Sequence, residues 1–338
     1  MIPSSNPEFP APEFRPSLDR PLFLLLTFAA LCLPVVAGAG EQPDPRQLLA
    51  EMAEAAHQLN YDGIFVYRRD NGMYSMRIIH RHDGNGERER LVSLTGKPRE
   101  ILRDNEKVTC IMPGEHSLLV ARRRPHRSLT QMFSSSLDRV ARNYRFVLVG
   151  KDWVAQRPTY VIDLRPVGPF RFARRLWIDE EKKLLLRSSV SNRHGRLLEE
   201  ILFTEIRYPQ EIPDELLAPS IQGESYSWQT LATAPSGAGS EAEPWQVTWL
   251  PDGFEREHTE VYEDNGKKAV AHMVFGDGLA TISVFIEKLD EGEPPMRGFT
   301  SVGAVTAYGR VADGYQILTI GAVPPMALRL VNESVRRR

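Results

Sequence analysis

The sequence predicts a mainly β protein of the α+β class. It combines a large, strongly curved, unclosed antiparallel β-barrel with covering helices and a smaller antiparallel β-sheet domain with a C-terminal helix. Three observations carry this. Between residues 63 and 206 about eleven short segments rich in β-branched and aromatic residues follow one another, punctuated by Asn71-Gly72, Asp83-Gly84-Asn85-Gly86, Thr95-Gly96 and His194-Gly195. One amphipathic helix precedes them. A stretch at 209–243, with prolines and a Ser/Ala/Gly run, separates them from a second alternating block. More than about ten strands in one antiparallel run curl rather than lie flat, and a helix on the concave side completes the core.

At the N-terminus, residues 21–36 read PLFLLLTFAALCLPVV, preceded by Arg20 and followed by Ala37-Gly38-Ala39. A charged flank, a short apolar run and an A-x-A end describe a secretory signal peptide, residues 1–39, cleaved after Ala39. The 16-residue run falls short of the roughly 20 that span a bilayer, and an uncleaved anchor is the alternative reading. The mature chain then carries 40 basic and 41 acidic residues and one cysteine, Cys110. A near-neutral balance gives no bulk attraction to nucleic acid. A single thiol allows no internal disulfide, and on a strand it reads as a small buried hydrophobe.

Residues 44–59 form the clearest helix: Asp44 as N-cap, Pro45 at the first position, Gln47 at the capping-box spacing, and Leu48, Leu49, Met52, Ala56 and Leu59 as one apolar stripe. The expected strands are 63–67, 74–80, 89–94, 99–104, 107–112 and 117–121. A helix near 129–142 follows, then strands at 145–150, 159–164, 172–179, 184–191 and 197–206. The domain boundaries are therefore 40–208, a linker at 209–243, and 244–338. In the last block WQVTWL, AVAHMVF, ATISVFIE, SVGAVTAYGRVA and YQILTIGAV alternate between turns at Asp252-Gly253, Asp277-Gly278 and Asp313-Gly314, and a helix runs from Pro325 to Arg336.

Nothing in the sequence spells out catalysis. G-x-S-x-G, H-E-x-x-H, Walker and G-x-G-x-x-G patterns are absent. His80 and His82 share a strand face, but no third ligand lies near them and Arg77 and Arg81 crowd the region with positive charge, so no metal site, cofactor or catalytic residue is expected. Binding is the expected role. If Phe65, Tyr67, Met76, Ile78, Leu91, Val161 and Leu176 line the concave face, they form an apolar, aromatic cavity suited to an acyl chain. The same residues serve equally as core beneath the 44–59 helix. Charge is uneven: residues 68–145 carry net +8 and residues 205–264 net −11. The densest basic cluster, Arg122, Arg123, Arg124 and Arg127, reads either as a solvated loop or as a site for an anionic headgroup or acidic partner.

Residues 61–114 (YDGIFVYRRDNGMYSMRIIHRH…KVTCIMPG) and 145–206 (RFVLVGKDWVAQRPTYVIDLRP…LLEEILFTEI) resemble the MucB/RseB family. WLPDGFE (249–255) and FGDGLATISVFIE (275–287) resemble its small-domain motifs. The resemblance implies a periplasmic negative regulator of an envelope-stress sigma factor. Such a protein binds the periplasmic domain of an RseA/MucA-type membrane anti-sigma factor and shields it from site-1 cleavage by a DegS-type protease. Lipopolysaccharide-like or lipoprotein acyl chains release it. The resemblance also implies a large domain of the LolA/LolB lipoprotein-carrier type, and partner contacts on the small domain, for which Trp249, Phe254 and Phe285 are the candidates. A lipid or lipoprotein carrier is the alternative function, for which the first domain alone suffices. The chain departs from the family pattern at Ala322 and Met326, which alters partner affinity if that loop touches the partner. Coupling between lipid and partner is expected to run through the 209–243 linker. Homo-oligomerisation is left open.

Overall fold

Asp44 and Pro45 start the first helix as their positions demand. In the computed structural model, which describes residues 42–105, 107–112, 117–121, 137–220, 227–231, 244–264, 268–290, 292 and 294–337, helix α1 (Pro45–Gln58) is capped by the Asp44 carboxylate, which accepts from the Arg46 N–H at 3.1 Å. The capping box does not close: Gln47 donates instead to Glu51, one turn on, at 2.8 Å. Leu48, Leu49, Met52 and Ala56 are buried, as the apolar stripe requires.

The strands that follow are β1 (Tyr61–Arg69), β2 (Gly72–Asp83), β3 (Gly86–Ser93), β4 (Glu100–Asp104), β5 (Lys107–Met112) and β6 (Ser117–Ala121). After α2 (Leu137–Asn143) come β7 (Tyr144–Val154), β8 (Arg157–Pro166), β9 (Ala173–Asp179), β10 (Leu185–Ser191) and β11 (Leu197–Arg207). The first strand pairs with the last of this run, giving the linear order β6-β5-β4-β3-β2-β1-β11-β10-β9-β8-β7, antiparallel throughout. Among the described residues the two ends do not pair, so the barrel stays unclosed. Leu48, Leu49 and Met52 of α1 pack with Ile162, Leu164, Leu176 and Ile178, so the sheet wraps the helix.

The described residues of the 209–243 stretch contact the large sheet. α3 (Asp214–Leu217) lies in it, Ile212 and Leu217 pack on Ile79, and the Asp214 carboxylate meets Arg81 and Arg88 at 2.8 and 2.9 Å. The Ser220 N–H donates to Glu100, and β12 (Ser227–Leu231) adds parallel to β6 as the twelfth strand of the sheet among the described residues.

The small lobe contains β13 (Trp245–Val247), β14 (Glu255–Asp264), β15 (Lys268–Gly276), β16 (Thr281–Lys288), β17 (Gly298–Val302), β18 (Val305–Ala312), β19 (Tyr315–Gly321), α4 (Pro325–Glu333) and β20 (Val335–Arg337). Six of the strands form a sheet in the order β14-β15-β16-β19-β18-β17, and β13 pairs with β20. The expected single strand SVGAVTAYGRVA is a hairpin, because Gly303 (φ 64°) turns the chain. The C-terminal helix ends at Glu333, and the chain continues as a strand beside Trp245. Both lobes fall in one compact unit, Pro43–Arg338.

Candidate functional site

Register decides what lines the concave face. Tyr67 pairs with Ile201, Ile201 with Ser188 and Ser188 with Leu176, so these four point to one side of the sheet. Phe65 lies two residues from Tyr67, Met76 pairs with Phe65, and Ile78 pairs with Gly63 and Leu91, so all of these share that side. Six of the seven expected residues are therefore together. Val161 is the correction: it pairs with Trp177, which pairs with Arg187, and Ile162 rather than Val161 stands opposite Leu176. Val161 faces the convex side, beside Arg175 and Trp177. Alternation within β8 allowed either parity, and only the pairing chooses.

Burial divides the six. Phe65, Ile78 and Leu176 are buried in packed clusters, while Tyr67, Met76 and Leu91 are half-buried. The first three are core under α1. The second three form an apolar shelf beyond it, extended by Tyr74, whose ring lies 6.5 Å from that of Tyr67, and by Ile101 and Cys110 in the row of Leu91. Burial pushes the Cys110 thiol up and the Tyr67 phenol well above its usual range, the latter helped by the Glu199 carboxylate. Toward the other end the same face turns polar. His80 stacks on Tyr61 at 4.8 Å and donates from Nδ1 to the Leu59 carbonyl at 2.8 Å, and Glu89 and Arg103 continue its row. His80 is buried and the side chain of His82 is exposed; among the described residues no His, Cys, Asp and Glu cluster fits a metal ion.

The small-domain motifs hold the two lobes together. Arg171, in the loop after β8, enters the small lobe. Its Nε donates to Asp277 Oδ2 at 2.6 Å, its Nη2 donates to the Asp252 carbonyl, and its guanidinium lies 4.9 Å over the Phe254 ring. Asp277 Oδ1 is already fixed by the N–H groups of Leu279 and Ala280 at 2.9 and 2.7 Å. Phe170 meets Trp249 edge-on at 5.3 Å, Leu279 packs into the α1 core, and Arg139 of α2 donates to the Gly276 carbonyl. Trp249 and Phe254, expected as partner contacts, touch Phe170 and Arg171 of the large lobe. Phe285 lies on the opposite face of the small sheet, half-buried and stacked on His272 at 4.2 Å.

A second contact joins the β17–β18 turn to the β1–β2 turn and β11. The Gly303 N–H donates to Asp70 Oδ2 at 2.9 Å and the Ala304 N–H to Glu199 Oε1 at 3.1 Å. Ala304 packs with Phe172 and Val190, and Ala322 packs against the same cluster at the lobe contact; Met326 is exposed on α4. Nothing in the sequence marked these pairings, since their partners lie far apart in the chain. Residues 1–39 and the Arg122, Arg123, Arg124 and Arg127 cluster lie outside the described residues. No helix among the described residues is long and apolar enough to cross a membrane.

Comparison with known proteins agrees along the whole of this architecture. The MucB/RseB N-terminal domain model matches residues 44–221 and the MucB/RseB C-terminal domain model residues 239–336. The sigma factor AlgU regulatory protein MucB of Pseudomonas aeruginosa is 29% identical over 319 residues, covering 93% of this chain and 96% of that protein. The sigma-E factor regulatory protein RseB of Haemophilus influenzae is 28% identical over 318 residues, covering 93% of this chain and 98% of that protein. Among solved structures, the Pseudomonas aeruginosa MucA/MucB complex superposes with a TM-score of 0.70 at 28% identity, covering 88% of this chain and 99% of that one. MucB in complex with MucA(peri) gives 0.69, also at 28% identity, covering 87% and 99%.

Proposed function

We propose, from the premise that the chain belongs to the MucB/RseB family, that it is an exported regulator that binds the periplasmic part of a membrane anti-sigma factor and shields it from proteolysis. The observation that carries this reading is the two-lobe match to MucB solved with MucA(peri), over 99% of that chain. A carrier does not need the second lobe, whereas here WLPDGFE and FGDGLA fasten that lobe to the first through Trp249, Phe254 and Asp277.

The releasing signal is an acyl chain of lipopolysaccharide or lipoprotein type, seated on the half-buried shelf of Tyr67, Met76 and Leu91. Signal and anti-sigma factor are then coupled ligands, each weakening the other by the same factor. The signal peptide of residues 1–39 delivers the chain to the periplasm. Calorimetric titration of residues 40–338 with the periplasmic segment of the source organism's anti-sigma factor, repeated with lipopolysaccharide fragments present, tests this. Binding that the lipid abolishes supports both halves of the reading, and lipid binding without anti-sigma affinity replaces it with the carrier.

A further inference from the structure

Three turns stand side by side along one end of the large sheet, because β4, β3, β2, β1, β11 and β10 are neighbours in that order. They are the β1–β2 turn at Asp70-Asn71, the β3–β4 loop 94–99 and the β10–β11 turn 192–196. The Leu94 N–H donates to the Ser75 carbonyl at 2.8 Å, which ties the loop to β2. Asn192 Oδ1 accepts the His194 and Arg196 N–H groups, each at 3.0 Å, and so fixes the last turn. The β17–β18 turn of the small lobe joins this end at Asp70, through the Gly303 N–H. Lys97, Arg99, Arg193 and Arg196 are exposed here, and among the described residues none of the four meets a carboxylate; Arg193 Nε donates to His194. The one acid on these turns, Asp70, is taken by Gly303. The opposite end of the sheet mixes its signs: Lys151 pairs with Glu180, and Arg157 and Lys182 pair with Glu181. Beside the four cations stand exposed apolar side chains, Met73 at 67% and Leu94 at 48%, with Val302 and Val305 on the turn from the small lobe.

We infer that this end of the molecule docks on a lipid bilayer that contains anionic lipid. The apolar tips enter the headgroup region while the cations meet lipid phosphates, the two contributions that hold a protein on a membrane surface. Met73, Leu94 and the two valines come from three different turns rather than from one groove, and protruding tips suit a surface that yields to them. The docking needs neither the anti-sigma factor nor an occupied shelf.

Co-sedimentation of residues 40–338 with vesicles tests it, using phosphatidylglycerol mixed into phosphatidylcholine against phosphatidylcholine alone. The wild type should bind the mixed vesicles, and less so as salt rises. A cation near an anionic surface adds about 5-fold in affinity, so Lys97→Gln with Arg99→Gln should lose about 10- to 30-fold. Met73→Ser with Leu94→Ser should also weaken binding. All four positions are exposed, so the denaturant midpoints of both variants should match the wild type. Trp153→Ser, at the opposite end of the sheet, should leave vesicle binding unchanged. So should Met76→Ala, which trims the shelf and weakens laurate, a soluble acyl probe. Binding lost in Trp153→Ser puts the contact at the other end, and binding lost in Met76→Ala means that the shelf draws lipid out of the vesicle; either overturns the proposal. Equal binding of the Lys97→Gln, Arg99→Gln variant and the wild type overturns it as well. So does a wild type that stays off mixed vesicles, and if that variant then binds the anti-sigma segment more weakly, the face belongs to an acidic polypeptide.

Discussion

Arg171 and Asp277, 106 positions apart in sequence, form an ion pair at 2.6 Å whose side chains are 3% and 0% exposed. One comes from the loop between β8 and β9 of the large lobe and the other from a turn of the small one. Two charges out of water persist only when further hydrogen bonds complete their shells. Here the Asp252 carbonyl and the Leu279 and Ala280 N–H groups complete them. The pair therefore acts as a key that fits only when both turns are formed, and it holds the lobes in one arrangement.

Removing one member strands the other. Asp277→Ala is expected to cost about 3–5 kcal/mol in denaturant unfolding, whereas the double change Arg171→Met with Asp277→Leu recovers most of that loss. Equal losses in the single and double variants would mean that packing, not the stranded charge, sets the cost.

Gly303 sits at φ 64° with no room for a side chain beside Arg69 and Glu199. Gly303→Ala combines left-handed strain with a steric clash and is expected to cost about 1–3 kcal/mol. Limited proteolysis should then cut the β17–β18 turn well before the large sheet.

Burial holds the His80 imidazole below its ordinary value of 6.5, against the opposing pull of Glu89 and Glu87. The unfolded chain takes up that proton first as the pH drops. Stability is therefore complete above about pH 6.5 and is lost as pH falls through the folded value. Unfolding free energies measured from pH 7.5 to 5 should decline less steeply in His80→Phe than in the wild type.

Core and shelf separate by mutation. Phe65→Ala, at a fully buried position, is expected to cost about 3–5 kcal/mol. Met76→Ala, half-buried, should cost about 1 kcal/mol or less and act mainly on laurate affinity. Titration of both variants with laurate checks the division, which fails if Met76→Ala leaves affinity unchanged.

The Cys110 thiol, raised by burial, should react slowly with iodoacetamide at pH 7.5. Its place in the row of Ile101 and Leu91 predicts further slowing when laurate occupies the shelf.

Much of this was legible along the chain. The Asp44-Pro45 start of α1, the strands between Asn-Gly and Asp-Gly turns, and the open curled sheet all follow from patterns that neighbouring residues carry. β14 was missed because its charges and edge position hide the alternation, and β12 because it lies in a Pro- and Ser-containing stretch. The sequence did not show that Ile212, Asp214 and Leu217 are tied to the large sheet, because their partners there lie more than 120 residues away.

By itself, then, the sequence determined element types, their order and the family, because periods of 2 and 3.6 residues are local. Only the tertiary structure decided that Val161 leaves the shelf, that Trp249 and Phe254 meet Phe170 and Arg171 of the other lobe, and that Glu199 takes the Ala304 amide. Strand parity across a sheet depends on register and on bulges such as those at Ile64/Phe65 and Leu185/Arg187. Which charges are buried together depends on surfaces that meet only after both lobes have formed.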